Sequence, residues 1–199
     1  MILGGWIIEY GILVCSALLI FSLIMIKRSK NKRIASERII CILVTIMYIT
    51  ILLNTTLFPI PVDPLLINDR LKEGLIERNN FVPLKTIYEI SKESSLSTVL
   101  TQLGGNLLLL SPLGCLLPVI FKVMRSLKLI FVLGLSTSLI IEIIQFLISY
   151  RIGISYRSFD IDDIILNSIG TTIGYGFYKY LYPIFRAELF GINTKRLSR

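Results

Sequence analysis

Five stretches of about twenty apolar residues recur along this chain, and that repeat constrains its fold more than any other feature. An α-helix rises 1.5 Å per residue, so roughly 20 residues cross about 30 Å of hydrocarbon. The runs cover Trp6 to Ile26, Ile39 to Phe58, Thr101 to Phe121, Leu129 to Tyr150 and Ile164 to Tyr182. With 54% hydrophobic and 17% charged residues over 199 positions, the chain is too apolar for a water-soluble domain. Helices are the only open-ended elements that satisfy their own backbone in lipid. The reading is therefore an all-α polytopic membrane protein, a single domain over 1–199 built as a bundle of five transmembrane helices.

The charges report orientation. No base precedes the first run, and Lys27, Arg28, Lys30, Lys32 and Arg33 follow it directly, so it reads as an uncleaved span. Segments after the first, third and fifth runs carry six, three and five Lys and Arg, against five and two after the second and fourth. The positive-inside rule then puts the N-terminus outside and residues 183–199 in the cytoplasm as a tail. The connection 59–100 becomes an external loop. In it, Asp63-Pro64 precedes Ile67, Leu71 and Leu75 at helical spacing, and Pro83 precedes Leu84, Ile87 and Tyr88, which predicts two amphipathic interfacial helices or, as the alternative, a solvated loop with transient helix.

Composition also narrows the chemistry. The chain has no histidine, which excludes Ser-His-Asp catalysis and the HExxH zinc motif. Cys15, Cys41 and Cys115 all lie inside apolar runs and have neither disulfide-framework nor zinc spacing. No metal, cofactor or nucleic acid is expected despite the net charge of +8, because the bases flank the membrane spans.

A carboxylate near the middle of a bilayer costs about 2.5 to 3.5 kcal/mol even on insertion scales, so Glu142 needs a reason. Glu142 and Gln145 share one face of the fourth run, about 12 and 7 Å below Tyr150 at 1.5 Å per residue. In the third run Asn106 falls about 8 Å below the outer end at the same rise, ahead of Pro112, Gly114 and Pro118, which predict a kink whose freed carbonyls line a cavity. Asp160, Asp163, Asn167, Gly170 and Gly174 descend one face of the fifth run. Asn106, Glu142, Gln145 and Asn167 thus reach comparable depths beneath an external turn carrying Arg151, Arg157, Asp160, Asp162 and Asp163, which predicts an outward-opening polar pocket. The same residues also admit a purely structural role. The aspartates can cap the fifth helix, Asn106 and Gln145 can join helices, and Glu142 can be protonated on Asn or Ser or paired with Arg157.

In four places the residues resemble the VanZ-like family, known for glycopeptide (teicoplanin) resistance proteins of Gram-positive bacteria. These are Asn80-Phe81-Val82-Pro83, then Gly105-Asn106 with Leu110-Ser111-Pro112-Leu113-Gly114, then Glu142-x-x-Gln145. The fourth is Arg157-Ser158-Phe159-Asp160-x-Asp162-Asp163 leading to Asn167, Gly170 and Gly174. The likeness runs from about 53 to 183, and Ser111 stands where the family usually has an aromatic residue. It implies a multi-pass protein of the bacterial plasma membrane that contributes to teicoplanin resistance, with membrane lipids, teicoplanin or a lipid-linked cell-wall component as partner.

Three classes of mechanism follow. In the first, the pocket binds a lipid headgroup, with Arg157 meeting an anionic group and Asn80, Asn106 and Gln145 donating hydrogen bonds; Glu142, Asp160, Asp163 and Asn167 complete that binding set. In the second, Glu142, Asp160 and Asp163 are catalytic acids and bases on a lipid phosphate or glycolipid, or hold a divalent cation. In the third, the chain is a small lipid transporter in which an intramembrane carboxylate carries protons. Gly170-x-x-x-Gly174 is a close-approach motif that allows a homodimer.

Overall fold

A computed structural model describes residues 32–61, 63–72, 79–154 and 157–190. The first apolar run and residue Leu75 lie outside the described residues. Helices dominate: α1 (Lys32–Leu57), α2 (Pro64–Lys72), α3 (Lys85–Glu93), α4 (Leu96–Leu109), α5 (Ser111–Ile120), α6 (Leu127–Ile152), α7 (Ile161–Tyr180) and α8 (Tyr182–Phe190). A short 3₁₀ turn, Lys122–Arg125, joins α5 to α6. Among the described residues, three stretches are long and apolar enough to cross a membrane: Ser36–Leu57, Leu96–Ile120 and Leu127–Ile152. The fifth run forms α7, whose first turn carries Asp162 and Asp163 and whose last turn carries Lys179. It begins three residues earlier than hydropathy alone places it, because Asp160 supplies an N-cap that accepts from the Asp162 N–H at 2.8 Å.

α7 is the centre of the bundle, packed on α5, α6 and α4, while α1 lies against α5 and α6. Glycines make that packing close. A Cβ on Gly170 would fall on the Leu107 carbonyl oxygen, one on Gly174 on the Ser111 carbonyl oxygen, and one on Gly114 on the Thr171 carbonyl oxygen. Gly134 of α6 faces the Thr171 side chain in the same way. The close approach that Gly170-x-x-x-Gly174 allows is thus realised within the chain, against α4 and α5. Leu52, Leu110, Leu113 and Ile141 form the apolar core beside them. Outward faces of α1 and α6 expose Met47, Ile51, Phe131, Ile140 and Leu147, an arrangement that suits a lipid solvent.

The third span breaks where prolines were read as a kink. α4 ends at Leu109 and α5 restarts at Ser111 with Pro112 in its first turn, where a missing N–H is harmless. Three carbonyls around the break are in contact with neighbouring helices. Tyr48 Oη of α1 donates to the Leu109 carbonyl, and the Leu107 and Ser111 carbonyls abut the α7 glycines.

Within the expected tail, Tyr182–Phe190 form α8, which bonds to the first turns of α1. Arg186 Nη2 donates to Glu37 Oε2 at 2.8 Å, its Nε lies 2.5 Å from Oε1, and Tyr182 Oη donates to that same oxygen. Both charged side chains are largely sequestered, at 12% and 4% exposure. Removing one partner strands the other charge, at a cost of about 3 kcal/mol. Arg186→Ala should therefore lower the unfolding midpoint in detergent, and the double change Glu37→Leu, Arg186→Leu should recover most of the loss. An Arg186→Ala protein as stable as the native chain would refute a structural role for the pair.

Candidate functional site

The opposite end of the bundle carries a hydrogen-bonded polar cluster assembled from the 59–100 connection, α4, α6, α7 and the end of α1. Its foundation is a junction between two segments some eighty residues apart. Asn80 forms a single parallel bridge with Asp160: its N–H donates to the Phe159 carbonyl at 2.8 Å, and its carbonyl accepts from the Ile161 N–H at 3.1 Å. The Asn80 amide nitrogen donates to Asp160 Oδ1 at 2.9 Å and to Thr86 Oγ1 at 3.0 Å, so both of its hydrogens are engaged. Asn79 Oδ1 accepts from the Phe159 N–H at 2.8 Å, and the Phe81 and Phe159 rings stack with centroids 5.2 Å apart.

Asp162 fastens the same junction from below. Fully buried, it accepts from the Leu84 N–H at 2.5 Å and the Ile87 N–H at 3.1 Å, which makes it the N-terminal cap of α3 supplied by another helix. Leu84 has φ 67°, a left-handed conformation that costs a non-glycine residue about 1 to 2 kcal/mol. The charged cap offsets that cost. Nothing near Asp162 in sequence reveals this role, because its partners are more than seventy positions away.

Two acids sit between α6, α7 and α4. Glu142 Oε2 accepts from the Asp160 N–H at 2.9 Å, which ties the middle of α6 to the top of α7. Asp163 Oδ1 accepts from the Asn106 amide of α4. Glu142 feels the negative charges of Asp163 and Asp160 and the positive charge of Arg157. Among the described residues, Arg157 is the one cation acting on Glu142 and Asp163, against the neighbouring carboxylates Asp160 and Asp162. One turn deeper, Asn167 Nδ2 donates to Ser138 Oγ at 2.9 Å, while Asn167 Oδ1 is buried without a partner.

Gln145 and Arg157 bond elsewhere. Gln145 Nε2 donates to the Thr56 carbonyl at 2.8 Å and Arg157 Nη2 to the Thr55 carbonyl at 2.9 Å, so both serve the open last turn of α1. Ser149 and Arg157 exchange two further bonds across the turn after α6. The structure thus groups Asn106, Glu142, Asp160, Asp163 and Asn167, with Asn80 in the adjoining junction, and sets Gln145 and Arg157 on the α1 side. Sequence reasoning missed Asn79, Thr86 and the partner role of Ser138; the i, i+4 spacing of Ser138 and Glu142 was the available signal for the last. Among the described residues, no three acidic or sulfur side chains are disposed to hold a metal ion.

The four sequence segments that carried the family resemblance are the ones that meet here: the Asn80 loop, the Asn106 helix, the Glu142 helix and the Asp160 turn. No curated protein and no solved structure matches the chain. A family model described as VanZ/LLP1 does, over residues 42–186, which encloses every member of the cluster. The chain belongs to the VanZ/LLP1 family.

Proposed function

We propose that this protein is a multi-pass component of the bacterial plasma membrane that contributes to glycopeptide (teicoplanin) resistance through an outward-facing polar site for a lipid headgroup or lipid-linked surface component. The observation that carries the reading is the group Asn106, Asp163, Asp160, Glu142 and Asn167, held by three separate hydrogen bonds among three helices at one end of an apolar bundle. Supporting the orientation, Lys122, Arg125, Lys128, Lys179 and Arg186 gather at the other end, as the positive-inside rule requires of a cytoplasmic face. Asp163 and Asn106 are only partly buried, which leaves the cluster reachable from outside the bundle. The exposed Phe81, Val82, Leu84 and Tyr88 beside it suit an interfacial resting place for α3.

The test is expression of the native chain, Asp163→Asn and Arg157→Ala in a sensitive host, with inhibitory concentrations of teicoplanin and vancomycin measured for each. Native protein should raise the teicoplanin value several-fold and Asp163→Asn should abolish the rise. Arg157→Ala, on the α1 side, should retain part of it. Equal protection by the native chain and Asp163→Asn removes the acidic site from the mechanism, and no protection by the native chain removes the resistance role.

A further inference from the structure

Four amide nitrogens in the site already donate to the protein. Asn80 serves Asp160 and Thr86, Asn106 serves Asp163, Gln145 serves the Thr56 carbonyl, and Asn167 serves Ser138. The Arg157 guanidinium is held at the Thr55 carbonyl. Asn106, Gln145 and Asn167 each keep a second N–H, but the buried side-chain oxygen left with no partner is an acceptor. A carboxylate has about four lone-pair sites, and among the described residues Asp163 and Glu142 each accept one hydrogen bond from the protein. Asn167, at 2% exposure, buries an amide oxygen with none. By helical spacing Asn167 lies one turn below Asp163 on α7, and its partner Ser138 lies one turn below Glu142 on α6. The orphan oxygen therefore belongs to the same α6–α7 seam as the two acids. A buried amide oxygen with no partner in the protein can accept a donor from a ligand.

We infer that the site takes a primary ammonium group, whose three N–H donors meet the acceptors of Asp163, Glu142 and Asn167. The inference rests on the headgroup reading above and narrows it from any headgroup to an amine-bearing one. It reverses the polarity expected from the sequence, in which Arg157 and the amides were to receive an anion. A positive charge answers the excess of carboxylates, and a compact ammonium with N–H bonds suits the seam where a quaternary amine, which has none, does not.

The experiment uses the full chain purified in detergent, with retention of added phosphatidylethanolamine, phosphatidylcholine and phosphatidylglycerol of identical acyl chains measured by native mass spectrometry. Phosphatidylethanolamine should be retained at least tenfold more tightly than phosphatidylcholine, which keeps the charge but has no donor. Asp163→Asn and Asn167→Leu should erase that preference; Asn167→Leu also removes the bond to the buried Ser138 Oγ, so each variant's lipid-free unfolding midpoint is measured beside it. Competition by free phosphoethanolamine would assign recognition to the headgroup alone; its failure alongside the lipid preference would assign a share to the lipid body. Preference for phosphatidylglycerol, or phosphatidylethanolamine preference intact in both variants, overturns the inference and leaves headgroup binding standing. Equal retention of all three lipids by the native chain overturns both. The native-chain comparison decides the matter even where a variant fails to fold.

Discussion

Gly170→Ala is expected to yield little or no stably folded protein. The new methyl would fall on the backbone carbonyl oxygen of Leu107, and a backbone atom, unlike the end of a flexible side chain, cannot turn aside. Relief requires α7 to move away from α4. That motion also disturbs the neighbouring contacts of Gly174 with Ser111 and of Gly114 with Thr171. Overpacking commonly costs about 1 to 3 kcal/mol, and a backbone clash at the centre of a bundle belongs at or above the upper end. Gly104→Ala provides the control, because its Cβ meets nothing within 4 Å and alanine is favoured over glycine in a helix by about 1 kcal/mol. Fluorescence-detected size exclusion and thermal unfolding of the two variants should separate widely, with Gly104→Ala at or above the native midpoint. A Gly170→Ala protein that elutes and melts like the native chain would show that α7 does not pack as described.

Asp162→Ala should release the 59–100 connection while leaving the bundle folded. The carboxylate holds two backbone N–H groups of the α3 entrance, and hydrogen bonds to a charged group contribute about 1.5 to 3 kcal/mol each. Without it, the left-handed Leu84 loses its compensation. Hydrogen exchange should then rise by at least about a hundredfold, the equivalent of roughly 3 kcal/mol, across residues 84–93. Amides in the middle of α6 should remain protected. The site should weaken in parallel, since the Asn80 junction with Asp160 loses its support. Unchanged protection in α3 would place the cap elsewhere. Uniform loss throughout the protein would make Asp162 a determinant of the whole bundle and not of the loop.

Membrane character was legible from the sequence because bilayer thickness translates directly into run length, and helices close their own hydrogen bonds without reference to neighbours. The second, third and fourth runs accordingly appear as Ser36–Leu57, Leu96–Ile120 and Leu127–Ile152. The costly residues were legible as well: Glu142 and Asn167 stand out in an apolar run whatever surrounds them. The four family segments were visible as words, and they do converge in space.

What only the tertiary structure decided is which atom of each polar residue meets which partner. Asp160 and Asp162 look like successive caps of one helix, yet Asp160 caps α7 and joins Asn80, while Asp162 caps α3. Gly170-x-x-x-Gly174 reads equally well as a contact with a second copy or with the chain itself, and the packing against Leu107 and Ser111 selects the latter. Glu37 and Arg186 form an ion pair across 149 positions, which no local pattern announces. Hydropathy and helical periodicity are properties of neighbouring residues, so one sequence contains them in full. Hydrogen-bond partnership depends on the rotation and approach of separate helices, and that is fixed only when the bundle closes around the α7 glycines.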